Sequence, residues 1–160
     1  MSDLKTLYEA DFLAWTKNQA EALRAAARHG SNQQLDWENL AEEIEDLGIS
    51  QRSALGSQIR RVIQHFLKLE FSPAKEPRRG WFESASDAKG EIEHLLELNP
   101  SLRHELDTTI RAETRRGAKL AARDLDRYGE LDPMVLAKLR ARTYSVDEVI
   151  EDWFPPEPGV

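Results

Sequence analysis

From Trp37 to Leu69 apolar side chains return every three or four positions without a break. Trp37, Ala41, Ile44, Gly48, Gln51, Leu55, Gln58, Val62, His65 and Leu69 form one seam, flanked by Leu40, Leu47, Ile59 and Phe66. A 3.5-residue repeat sustained over that length specifies a single long helix that must bury its stripe against other helices. The rest of the chain supplies those partners. Leu4, Leu7, Tyr8, Phe12, Trp15, Leu23 and Ala26 share a face, so a first helix is expected from Leu4 to Arg28, stopped by Gly30. A third is expected from Trp81 to Leu98, broken by Asn99-Pro100-Ser101, and a fourth from Leu102 to Tyr128, stopped by Gly129. Asp132-Pro133 opens a short helix to about Arg142, and Ser145 to Glu148 reads as a capping box. No run of alternating β-branched residues competes with these helices. The expected fold is all-α: an antiparallel bundle of about four long helices plus short C-terminal helices. It forms a single helical domain over residues 1–154, followed by a flexible Pro-rich tail over 155–160.

Charge narrows the function classes. The chain has 22 Lys plus Arg against 29 Asp plus Glu, a net charge of −7, so as a whole it is repelled by phosphate. It holds no cysteine, which excludes disulfides and thiolate zinc sites. No stretch of about 18 apolar residues is present, so no membrane-spanning helix is expected; no targeting pattern is recognised, and a cytoplasmic location is expected. The charge is unevenly spread. Glu38, Glu42, Glu43, Glu45 and Asp46 crowd the start of the long helix, whereas Arg111, Arg115, Arg116, Lys119, Arg123 and Arg127 line the fourth.

Four constellations could carry chemistry. Leu47-Gly48-Ile49-Ser50-Gln51-Arg52-Ser53 resembles the turn of a helix-turn-helix. Against it, the apolar seam runs through Gly48 unbroken, the small residue Ala41 lies seven positions ahead of the glycine, and the preceding carboxylates oppose phosphate. Glu91-x-x-His94 has the spacing of a di-iron ligand pair, but no second such pair exists and His94 lies off the apolar face, so no metal or cofactor is expected. His65 and Glu113 both sit on apolar seams. Hairpins about residues 75 and 99 would bring them to one layer, either an acid–base or metal site or a polar layer that sets register. The fourth is the pair of charged patches. The basic stripe of Arg111, Arg115, Arg116, Lys119 and Arg123 could bind nucleic acid or an acidic protein, or meet Glu42, Glu43 and Asp46 of a second subunit.

The segment Asp36-Trp37-Glu38-Asn39-Leu40-Ala41-Glu42-Glu43-Ile44-Glu45-Asp46-Leu47-Gly48, followed by His65-Phe66-Leu67-Lys68, resembles the signature of the family called domain of unknown function 29. Tyr8-Glu9-Ala10-Asp11-Phe12 with Trp15 resembles its opening. Glu91-Ile92 with Leu95-Leu96 and Asn99-Pro100-Ser101-Leu102 resembles its third helix and turn, and Tyr144-Ser145 through Trp153-Phe154-Pro155 its close. The resemblance implies a bacterial, all-α protein and brings no established activity or catalytic residue. The expected function is a non-enzymatic helical protein-interaction module, with a homo-oligomer among its possible forms. Its alternatives are an enzyme using His65 and Glu113, and nucleic-acid binding through the fourth helix, which the overall charge disfavours.

Overall fold

The structure is a computed structural model that describes residues 4–30 and 32–158. It contains α1 (Leu4–Ala10), α2 (Phe12–Arg28), α3 (Trp37–Phe71), α4 (Arg78–Leu98), a 3-10 segment (Pro100–Glu105), α5 (Leu106–Arg127), α6 (Pro133–Ala141) and α7 (Val146–Ile150). The protein is all-α, with no strand among the described residues. It divides into two compact units, Met1–Ala54 with His94–His104, and Leu55–Glu93 with Glu105–Val160.

In the first unit the expected helix over Leu4–Arg28 is two helices, broken at Asp11. That residue takes an extended backbone (φ −155°, ψ 96°), and its Oδ1 accepts the Ala14 amide at 2.8 Å as the N-cap of α2. Its Oδ2 accepts the Ser101 amide at 2.7 Å, and the Ser101 hydroxyl donates to Oδ1 at 3.0 Å. A short carboxylate offers the backbone this alternative to continuing the helix, while the apolar period runs on across the break and hides it. Tyr8, Phe12 and Trp15 cluster with ring centroids 4.9–5.9 Å apart. α2 buries Leu13, Thr16 and Ala20. Gly30 closes it with φ 71°, a backbone that favours glycine. α3 then starts where expected, with the Asn39 amide bonded to Asp36 Oδ1. It runs through Gly48 without a turn, so the Leu47–Ser53 segment is helix interior. The fully buried Asn99 ends α4, donating from Nδ2 to Gln51 Oε1 and to the Leu95 carbonyl, both at 3.0 Å.

In the second unit Ile59, Val62, Ile63, Phe66 and Leu67 of α3, Ala85, Ala88 and Ile92 of α4, and Ile110, Ala121 and Leu125 of α5 are buried, as are Leu139 of α6 and Val149 of α7. α4 begins at Arg78, three residues before the expected Trp81, and the Arg78 guanidinium donates to the Leu69 carbonyl left open at the end of α3. α5 begins at Leu106 because Pro100–Glu105 wind as a 3-10 segment. Asp132 caps α6, and Ser145 with Glu148 forms the expected capping box of α7. Beyond α7, Trp153 and Phe154 pack on Phe66 with centroids 5.4 and 5.5 Å away. Within the segment expected to be a flexible tail, Pro155 is buried and Pro156 to Pro158 are exposed; residues 159 and 160 lie outside the described residues.

Candidate binding cleft

The basic face of α5 is half of a cleft. Arg111, Thr114, Arg115, Ala118, Lys119 and Ala122 of α5 face Leu136, Leu139 and Arg140 of α6, with Arg142 and Thr143 at one end, around about 630 Å³ of space. That lies within the about 300–1,000 Å³ range of ligand clefts. Ala118, Ala122, Leu136 and Leu139 make an apolar floor, and no acidic residue lines it. Two of its five cations are already engaged: Arg111 with Asp107, and Arg142 with Glu70 and Glu148. Arg115, Lys119 and Arg140 make no ion pair or hydrogen bond with any described residue.

The cleft collects Arg111, Arg115 and Lys119 of the expected stripe but not Arg116 or Arg123. Arg116 turns to Glu113, donating from Nη1 to Oε1 at 2.7 Å. Arg123 is exposed away from the lining. Arg140 and the two leucines of α6 were missed by sequence reasoning. Their signal is the pattern Leu136-x-x-Leu139-Arg140, an apolar pair with a base beside it on a short helix. In the other unit Glu42, Glu43 and Asp46 are exposed and none of the three carries an ion pair with a described residue, though Glu42 lies in the field of Arg24.

The expected His65/Glu113 layer does not form. Glu113 is only 5% exposed, and its carboxylate meets Arg60 Nε at 3.1 Å as well as Arg116. Its Oε1 would lie 3.2 Å from a β-carbon on Gly56, so it sits at the Gly56–Arg60 level of α3. His65 lies further along α3, at the level where Gln64 and Lys68 both donate to Asp124 Oδ2, at 2.8 and 3.1 Å. α3 and α5 therefore run parallel, and the level of His65 meets α5 near Asp124, three turns beyond Glu113. The expected pivot at residue 99 falls several residues short, because the 3-10 segment Pro100–Glu105 separates α4 from α5. Burial, Lys68 and Arg61 push the His65 imidazole down to about 4, against the pull of Asp124. It is neutral at neutral pH, and its Nδ1 finds no hydrogen-bond partner among the described residues. Gln64, Lys68 and the positive field of Arg127 hold the Asp124 carboxyl below its ordinary value, against the desolvation that opposes its charge. Glu113 and Asp124 are thus each paired with cations, and His65 stands between charges without a carboxylate of its own. Among the described residues no group of three or more His, Asp or Glu side chains is placed to hold a metal ion.

These features define an all-α protein with a cationic, apolar-floored cleft built by α5 and α6. A family model described as domain of unknown function DUF29 matches residues 7–154, and the chain belongs to that family. It is similar to a solved alpha-helical protein of unknown function from Rhodospirillum rubrum, with 25% identity and a TM-score of 0.66, over 92% of this chain and 98% of that one. No curated protein matches the chain. No helix among the described residues is long and apolar enough to cross a membrane.

Proposed function

We propose that this chain is a non-enzymatic interaction module of the bacterial cytoplasm, and that the α5–α6 cleft binds an acidic segment of a protein partner. The observation that carries this reading is the cleft's charge state: Arg115, Lys119 and Arg140 are uncommitted around an apolar floor with no carboxylate. An acidic segment with apolar side chains would neutralise the rim and cover the floor, whereas a nucleic acid would leave the floor wet. The bacterial setting is supported by the source of the similar solved protein. The compartment is checked by fractionating cells that express a tagged chain.

The test is fluorescence anisotropy with a labelled peptide of alternating Glu and Leu blocks, against a labelled single-stranded DNA oligonucleotide. The peptide is expected to bind, to weaken with salt, and to be lost in Arg115→Glu/Lys119→Glu. Tighter binding of the oligonucleotide than the peptide, with a steep salt slope, would overturn the protein-partner reading in favour of nucleic acid.

A further inference from the structure

We propose that the acidic segment taken by the α5–α6 cleft is the start of α3 from a second copy of this chain. This rests on the cleft reading above and names its occupant. Leu40 and Leu47 of α3 are 40% and 48% exposed. Seven residues apart, they lie on one face of the helix, about 10 Å apart along its axis. Glu43 stands between them on that face and Asp46 flanks it, both exposed and without an ion pair to a described residue, whereas Glu42 lies on the opposite side of the helix in the field of Arg24. Arg24 takes the neighbouring Glu45 at 2.7 Å and its field also reaches Glu38 and Glu42, so the unneutralised acid beside the two leucines is Glu43 and Asp46.

This face matches the cleft in both its apolar and its charged parts. A helix docking in a groove uses apolar anchors at i and i+7, which Leu40 and Leu47 supply to a floor of Leu136, Leu139, Ala118 and Ala122. Two free carboxylates, Glu43 and Asp46, stand against the free cations Arg115, Lys119 and Arg140. Each copy carries both halves, so two copies pairing reciprocally close as a dimer, and unreciprocated pairing propagates. The charges steer the encounter and set its register, and the leucines supply the desolvated contact.

The experiment is light scattering on the full chain at low and high salt, with circular dichroism as a check on folding. The wild-type chain is expected to exceed its 18.3 kDa monomer mass at low salt and to fall back towards it at high salt. Glu43→Lys/Asp46→Lys alone and Arg115→Glu/Lys119→Glu alone are each expected to be folded monomers. An equimolar mixture of the two variants restores the larger mass, since each then offers a face complementary to the other. A wild-type chain that stays monomeric at both salts overturns the self-pairing, as does a mixture no heavier than its components. The peptide assay separates this failure from that of the cleft reading. A monomer that still binds the Glu/Leu peptide leaves the cleft to a foreign acidic protein, whereas loss of both removes the cleft reading as well.

Discussion

Gly48 of α3 lies so close to Thr16 of α2 that a β-carbon there would stand 2.6 Å from the threonine Oγ1, and 2.8 Å from Leu13 Cδ1. Thr16 cannot simply rotate away, because its hydroxyl donates to the Leu13 carbonyl at 2.8 Å in a buried site. The glycine that made Leu47–Ser53 resemble a DNA-binding turn is there for helix contact. Gly48→Ala is expected to destabilise the fold by about 2 kcal/mol, the overpacking cost outweighing the gain in helix propensity. Gly90→Ala is the control: a β-carbon there meets nothing within 4 Å, so the same change should stabilise by about 0.5–1 kcal/mol. Urea denaturation of both variants reads the difference. Equal effects would show that the Gly48 contact is not restrictive.

His65 makes stability depend on pH in one direction. Its folded value of about 4 lies below the ordinary 6.5, so the unfolded chain binds the proton more readily. Stability from this group is complete above pH 6.5 and is lost as pH falls from there towards 4. The expected loss is about 2 kcal/mol, less than the full shift implies because the ring keeps some solvent contact. His65→Gln should flatten that part of the profile, measured as urea midpoints at pH 7 and pH 5. An unchanged slope would locate the acid sensitivity elsewhere.

Lys89 fastens the chain after α7. Its ammonium donates to the Glu148 carbonyl at 3.0 Å, to the Trp153 carbonyl at 2.9 Å and to the Glu151 carbonyl. It also lies over the Phe66 and Phe154 rings, at 5.0 and 4.9 Å from their centroids. Burial lowers it to about 8, against the pull of Asp152 and Glu151, so it stays mostly protonated at neutral pH. Lys89→Met keeps the apolar stem and strips the donors from three carbonyls, which should cost about 2–3 kcal/mol. Limited proteolysis should then cut near Trp153 while the wild-type chain resists. Equal resistance would mean that the aromatic packing alone holds this segment.

Arg142 joins α3 to the C-terminal helices. Its guanidinium forks onto Glu70, with Nε 3.0 Å from Oε2 and Nη2 2.9 Å from Oε1, and reaches Glu148 Oε1 at 3.0 Å. The Tyr144 hydroxyl donates to the same Glu70 at 3.1 Å, and burial beside that carboxylate pushes its phenol up. Glu70 and Glu148 outweigh the desolvation that opposes the Arg142 charge and raise its value above the ordinary one. Arg142→Met should cost about 3 kcal/mol by stranding Glu70, and Arg142→Lys about 1–2 kcal/mol by keeping charge without the fork. Thermal unfolding ranks the two. A lysine variant as unstable as the methionine one would show that the fork geometry, and not the charge, holds the contact.

The helices themselves were legible in the chain. The seam of α3, the glycine stops at Gly30 and Gly129, the Asp132-Pro133 start and the Ser145–Glu148 box all stand where local pattern puts them. Each depends on residues within a turn or two of itself, so neighbours in sequence suffice to determine it. Three features depended on contacts distant in sequence. Asp11 breaks the first helix by capping the Ala14 amide, and Ser101, ninety residues on, holds that carboxylate through its second oxygen. His65 misses Glu113 because the 3-10 winding of Pro100–Glu105 resets the register of α5 against α3. The basic stripe of α5 becomes a cleft only because α6 folds back to add Leu136, Leu139 and Arg140. Periodicity states which face of a helix is apolar or charged; which faces meet, and at what level, is decided by packing the whole chain together.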